Sequence, residues 1–316
     1  MGIIKKQHGV KKYLALREKK IKMSKTDLPN PIDVVIYSYK NKMLKEVVEN
    51  LLEKSSKKNA IYLHIFDQHT LTRQDYFDKI ENCGYQHILW DSILGPCFYK
   101  NQLLEQSKFT YTMFMSDNIF LKDNWDEELI NALPNSGSII SIKNKNKLKQ
   151  DGIFYFKKEE EVVDKFTSSK FVGRDLIFGH TETLRNIGYP SYLKYYGEEE
   201  VLSLMYHANN IKVFCCPDNF YKKEGLNNLE TLYTVFSKYH NYNQMIKLIK
   251  NEKNDYIDIG LPLMSPISDF YNINGLDIEK THPLPFEIND VFYNPTDSEF
   301  DGIDSKRFMT KINYID

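Results

Sequence analysis

Short apolar runs, Ile32 to Tyr37, Ala60 to Phe66, Tyr85 to Trp90 and Thr110 to Met115, recur along the first part of the chain with helix-spaced segments between them. Met43, Leu44, Val47, Val48, Leu51 and Leu52 fall three and four residues apart, as on one helix face. A second helix is expected over Gln74 to Asn82 and a third over Pro96 to Gln106, where Pro96 suits the first turn. Strands joined by helices pair in parallel, because each crossover carries the chain back to the starting end. The pattern predicts an α/β fold, a mostly parallel central sheet with helices on both faces.

Sheets of this kind bind ligands in the crevice beyond the carboxyl ends of their strands, so the residues that end each run matter most. The run from Thr110 to Met115 stops at Ser116-Asp117-Asn118, three short oxygen-bearing side chains. Ile119-Phe120-Leu121 then returns to the core, and Asn124 or Asp123 is placed to cap a helix from Trp125. Carboxylate and amide oxygens at such an edge can hold a hard cation with substrate phosphates. The same residues also make an ordinary Asx turn. The first run ends at Ser38-Tyr39-Lys40 and the second at Asp67-Gln68-His69-Thr70, beside the same crevice.

Farther on, strands are expected over Ser138 to Ile142, Gly152 to Phe156, Asp175 to Phe178 and Ile211 to Cys215, with a helix from Thr181 to near Gly188. Glu198-Glu199-Glu200 gives the next helix an acidic first turn that complements its dipole. Leu226 to Lys250 is helical in pattern, and beyond Asp255 the recurring prolines point to an extended, loop-rich appendage. The expected organisation is a basic arm over 1–30, an α/β domain over 31–225, a helical segment over 226–254 and a Pro-rich appendage over 255–316.

Charge and motif content narrow the classes. The 42 lysines and arginines nearly balance 43 acids, so no global field points to nucleic acid, although lysines and arginines crowd residues 1–25 against Glu18 alone. Cys83, Cys97, Cys215 and Cys216 form no C-x-x-C pair, and the histidines fall into no metal-ligand spacing. Nothing matches the dinucleotide-binding or P-loop glycine patterns, which sets aside dehydrogenase and P-loop NTPase readings. The charged N-terminus does not suit a signal peptide and no run is long enough to span a bilayer, so a cytoplasmic protein without membrane attachment is expected.

Short stretches match one family pattern in order. Ile36-Tyr37-Ser38-Tyr39-Lys40, Gly95-Pro96 followed by Lys100, Thr112 to Asp126 with its Asn124-Trp125-Asp126, and Pro190 to Pro217 with its Gly197-Glu198-Glu199 resemble nucleotide-sugar glycosyltransferases of the GT-A fold. Among these the chain is most similar to the cytoplasmic N-acetylglucosaminyltransferases that act on hydroxyproline in polypeptides. The resemblance implies a GT-A, Rossmann-like sheet with a helical and loop-rich C-terminal extension. It also carries departures. Ser116 stands where the family has the first metal-motif acid, Asn118 where it has histidine, and Lys222 near the position of a later metal-binding histidine.

What the resemblance implies is transfer of a hexose or N-acetylhexosamine from a UDP-sugar to an acceptor hydroxyl, with retention, the acceptor being a polypeptide hydroxyl. Ser38, Tyr39, Lys40, Asp67, Lys100, Ser116, Asp117 and Lys222 are the expected nucleotide-sugar contacts, with Glu198 and Glu199 binding or catalytic. The leaving diphosphate gathers negative charge, which needs a preorganised cation. Mn²⁺ or Mg²⁺ held by Asp117 and Asn118 is one source of it. Convergence of Lys100, Lys222 and Lys223 on the diphosphate is the other. Two alternatives stand beside this function. One is transfer to hydroxymethylated bases in DNA, motivated by the basic arm and the Lys143 to Lys149 loop. The other is a catalytically inactive GT-A binding module, motivated by Ser116 and Asn118.

Overall fold

The structure, a computed structural model, describes residues 30–39, 41–68, 72–87, 95–142, 163–169, 171–173, 175–189, 198–224, 286–288 and 312–314. The first strand, β1 (Ile32–Tyr39), pairs in parallel with β2 (Ile61–Gln68) on one side and with β4 (Tyr111–Ser116) on the other. Beyond β2 lies β3 (Cys83–His87), also parallel. On the far side β8 (Leu176–His180) runs antiparallel to both β4 and β6 (Ser138–Ser141). β9 (Lys212–Cys215) is parallel to β6, and β7 (Thr167–Ser169) closes the edge antiparallel. The result is an α/β fold on one mixed, mostly parallel sheet of order β3-β2-β1-β4-β8-β6-β9-β7. Two short ribbons pair β5 (Ile119–Leu121) with β10 (Tyr221–Lys223) and β11 (Phe286–Ile288) with β12 (Ile312–Tyr314).

Strand alternation sends successive side chains to opposite faces, and the chain uses both. Ile32, Val34 and Ile36 of β1, Leu63 and Ile65 of β2 and Met113 and Met115 of β4 share one apolar cluster. Onto it packs helix α1 (Leu44–Glu53) through Leu44, Val47, Val48 and Leu51, all fully buried. Each such side chain contributes about 1.5–3 kcal/mol relative to exposure. Trp125 and Leu129 of α4 (Trp125–Ala132) join the same layer.

The intervening positions face the other layer. There Tyr99 of α3 (Gly95–Gln106) meets Phe66 with ring centroids 5.0 Å apart, and Ser107 donates to the buried Asp33 carboxylate at 2.8 Å. His64 Nε2 lies 2.8 Å from the other oxygen of Asp33. Thr181 opens α5 (Thr181–Ile187) and shares a 2.8 Å hydrogen bond with Thr112 of β4. Gly188, at φ +70°, ends α5 where the sequence predicted, in a conformation that favours glycine.

Some elements differ from expectation. The helix predicted over Gln74 to Asn82 is the single turn α2 (Gln74–Phe77). Asn82 takes a left-handed φ of 55° and gives its carbonyl to the Leu63 N–H at 2.9 Å, so the chain turns early into β3. Asn124 does not cap α4 through its side chain. It is left-handed (φ 60°), with its N–H on the Lys54 carbonyl at 2.6 Å. The expected strand Gly152 to Phe156, the helical stretch Leu226 to Lys250, the basic arm and the Lys143 to Lys149 loop lie outside the described residues. Among those described, no helix is long and apolar enough to cross a membrane.

Candidate functional site at the carboxyl edge

Ladder register fixes which strand ends stand side by side. Tyr37 pairs with Ser116 and Ser38 with Asp67, so Ser38, Asp67 and the Ser116-Asp117-Asn118 turn share one edge of the sheet. The turn is clamped from both sides. Asn41 donates its side-chain amide to the Asp117 carbonyl at 2.8 Å, and the Asn118 carbonyl accepts the Glu224 N–H at 3.0 Å. Leu121 exchanges backbone hydrogen bonds with the Asn50 side chain, at 2.8 and 3.3 Å, which substitutes for a further strand beside β5.

Asp67 is fully buried and holds Arg73 through two bonds, Nε to Oδ2 at 2.7 Å and Nη2 to Oδ1 at 2.6 Å. Tyr85 donates its hydroxyl to the same Oδ2 at 2.8 Å, and burial above all pushes the Tyr85 phenol up from its usual pKa of 10.0. Arg73 also donates to the Asn41 carbonyl at 2.8 Å. A chain of contacts thus runs from Asp67 through Arg73 and Asn41 to the backbone of Asp117. Arg73 lies in a loop that carries no motif, so nothing in the sequence alone marks it.

Ser116 donates its hydroxyl to the Asp175 carboxylate at 2.9 Å, and its N–H reaches the Asp175 carbonyl at 2.8 Å, which extends the β4–β8 ladder by one residue. The other oxygen of Asp175 takes the ammonium of Lys223. Lys222, one residue earlier on β10, points the opposite way and pairs with Glu224. Its side chain is 75% exposed against 48% for Lys223, so Lys223 is the lysine that β10 turns toward Ser116. Lys100 lies on α3 with its ammonium 4.6 Å from the Tyr189 ring centre and 5.6 Å from that of Phe114.

Asp117 is 4% exposed and Asn118 2%. Neither the amide nitrogen nor the amide oxygen of Asn118 has a hydrogen-bond partner, and the Ser38 hydroxyl, fully buried, has none either. Buried polar atoms are nearly always paired, so these three unpaired atoms make this strand edge a candidate site. Tyr39 closes β1 in register with Gln68, and Glu198 and Glu199 begin α6 (Glu198–Ala208); the side chains of all three, and Lys40 entirely, lie outside the described residues.

A divalent cation such as Mg²⁺ or Mn²⁺ takes about six oxygen ligands, with carboxylates among them. Among the described residues no group of three or more His, Cys, Asp or Glu side chains is placed to hold a metal ion. Asp117 offers one carboxylate and Asn118 one amide oxygen, while Asp175, the next acid, is occupied by Lys223. The donors among the described residues do not fit a firmly held dication.

The Asn124-Trp125-Asp126 stretch serves the scaffold. Trp125 is fully buried and donates its indole N–H to the Leu51 carbonyl at 2.9 Å. Asp126, also fully buried, accepts from the Ser56 N–H and hydroxyl at 2.7 Å each and from the Asn59 amide at 2.8 Å. A cavity of about 750 Å³ opens at the other end of the sheet, lined by Thr110, His180, Thr181, Glu182 and Arg185 among others. It lies at the start of β4, whereas the unpaired polar atoms lie at its end.

No protein-family model matches the chain, and no curated protein matches it in sequence. Two solved structures are similar to it at low identity. TarS from S. aureus, as its 1–349 fragment with UDP-GlcNAc, is 13% identical, covers 76% of this chain and 72% of its own, and superposes with a TM-score of 0.48. The mannosyltransferase PcManGT from Pyrobaculum calidifontis, with GDP-Man and Mn²⁺, is 9% identical over 84% of this chain and 82% of its own, with a TM-score of 0.49.

Proposed function

We propose that this chain is a GT-A glycosyltransferase that moves a hexose or N-acetylhexosamine from a UDP-sugar to an acceptor hydroxyl, with retention, the acceptor being a polypeptide hydroxyl. The observation that carries the reading is the strand edge where Ser38 and Asn118 bury polar atoms with no partner. They lie beside Asp117 and the Ser116–Asp175–Lys223 chain of contacts. A nucleoside diphosphate supplies both hydrogen-bonding groups and the anionic charge that such an edge can receive. The order of sequence motifs supports the sugar-transfer chemistry, and the family resemblance supports UDP and the polypeptide acceptor.

In this reading Ser38, Tyr39 and Lys40 contact the base, Ser116, Asp117 and Asn118 line the sugar-diphosphate, and Glu198 or Glu199 binds sugar hydroxyls or orients the acceptor. General-base work by a glutamate would require the acceptor hydroxyl within hydrogen-bond reach. With retention, an oxygen of the leaving diphosphate takes the proton instead. Asp67 acts through Arg73, as a brace for the edge rather than as a free carboxylate.

Thermal denaturation with a panel of nucleotide sugars tests the reading, because a ligand that binds only the folded chain stabilises it by about 2.7 kcal/mol at a hundred times its Kd. UDP-sugars are expected to raise Tm and to be turned over slowly to UDP in the absence of acceptor. No shift with any nucleotide sugar, together with no release of UDP, refutes it and leaves the binding-module alternative.

A further inference from the structure

We infer that Lys223, held by Asp175, is the chain's own cation for the diphosphate, so that donor binding needs no divalent metal. The inference rests on the nucleotide-sugar reading above and goes beyond it by assigning the charge. Ser116 ends β4 where the resembled family has its first metal-motif acid, and a neutral hydroxyl there brings no negative charge to hold a dication. Asp175 reaches the same point from the neighbouring antiparallel strand and holds Ser116 by side chain and backbone alike. That carboxylate is already neutralised by Lys223. A dication brought here would meet the ammonium that Asp175 already holds, and the two like charges repel.

The ammonium suits the task on its own. It carries three donors, of which Asp175 occupies one, and its side chain is half exposed, so phosphate oxygens have access to the rest. Asp175 is a positioning residue: it fixes where the charge stands and need not touch the donor. The antiparallel register of β10 against β5 sets Lys223 opposite Ile119, directly after the Ser116-Asp117-Asn118 turn, which carries the ammonium to that turn and turns Lys222 away.

The experiment measures UDP and uridine affinity of the full chain by calorimetry, in EDTA and in Mn²⁺, for the wild type and for Lys223→Ala, Lys223→Arg and Asp175→Asn. Wild-type UDP affinity is expected to be the same in both buffers. Lys223→Ala should weaken UDP by about 10- to 100-fold, the range for a lost hydrogen bond to a charged group, and leave uridine unchanged. Lys223→Arg should retain most of the affinity. Asp175→Asn should weaken UDP but not uridine, and adding Lys223→Ala to it should cost little more, as for residues acting in one contact. A general loss of structure would weaken UDP and uridine alike. Two results overturn the inference while leaving the function standing: wild-type UDP binding that collapses in EDTA and returns with Mn²⁺, or Lys223→Ala that binds UDP as tightly as wild type. If wild type binds neither UDP nor uridine in either buffer, the nucleotide-sugar reading fails and this inference fails with it.

Discussion

Replacing Asp67 with alanine should destabilise the chain severely. The carboxylate is fully buried, the Arg73 side chain is 11% exposed, and two short bonds join them, with Tyr85 adding a third. Removing one partner of such a pair strands the other charge away from water and costs about 3–5 kcal/mol, against a total stability of about 5–15 kcal/mol for a typical domain. Arg73→Met should cost a similar amount. The double variant should lose clearly less than the sum of the two, by at least about 1.5 kcal/mol, since replacing both charges removes the desolvation penalty along with the attraction. Urea unfolding followed by circular dichroism measures all of these. The brace also runs on through Arg73 and Asn41 to the Asp117 backbone, so Asp67→Ala should weaken nucleotide binding as well. If Asp67→Ala unfolds within about 1 kcal/mol of wild type while losing nucleotide affinity, the carboxylate is a ligand and not a brace, and the reasoning is refuted.

Further outcomes follow from other buried groups. Asp126→Ala removes the acceptor of three hydrogen bonds, each worth about 1.5–3 kcal/mol when the acceptor is charged. It should lower the urea midpoint more than Asp126→Asn, and equal loss in the two variants would show that the charge is irrelevant. Gly173→Ala would place a Cβ 2.3 Å from the Ile142 carbonyl oxygen. The expected cost is about 1–3 kcal/mol by thermal melting, as for other overpacked sites, and an unchanged Tm would contradict the packing there. Burial, partly offset by Glu182, holds the His180 imidazole below its usual 6.5. The folded state therefore favours the neutral ring, and the associated stability is present above pH 6.5 and lost as pH falls through the lower folded value. The drop in Tm between pH 7.5 and 5 should be smaller in His180→Gln, and an identical drop would remove His180 as its source.

Local pattern carried the sheet because each strand needs only its own residues to declare itself. Thr110 to Met115 is β-branched or apolar throughout, as a strand covered on both faces requires, and in Ile32 to Tyr37 the one departure is Asp33, whose buried carboxylate takes the Ser107 hydroxyl. The same logic fails where an element depends on its partner. β10 holds Tyr221-Lys222-Lys223, which has no strand signature and pairs only because Phe120 and its neighbours offer an edge after the turn. α2 stops after one turn because Asn82 must hand its carbonyl to Leu63, a contact made 19 residues back in the chain that no helix-spaced pattern within Gln74 to Asn82 records.

The site divides along the same line. That Ser38, Asp67, Ser116, Asp117 and Asn118 share one edge was legible because a parallel sheet gathers its strand ends there, so a polar stop after an apolar run is a positional statement. What those residues do once gathered was not legible. Asp67 reads as a free carboxylate until Arg73, six residues on, is seen to fold back over it. Ser116 reads as a lost metal ligand until Asp175, carried in by the strand that runs against β4, is seen to stand beside it with Lys223 attached. Asp175 sits 59 residues from Ser116, and only the antiparallel turn of β8 in an otherwise parallel neighbourhood brings the two together. Charge at this edge is therefore set by topology rather than by motif. The sheet brings a carboxylate from one neighbouring strand and an ammonium from another to the serine that ends β4.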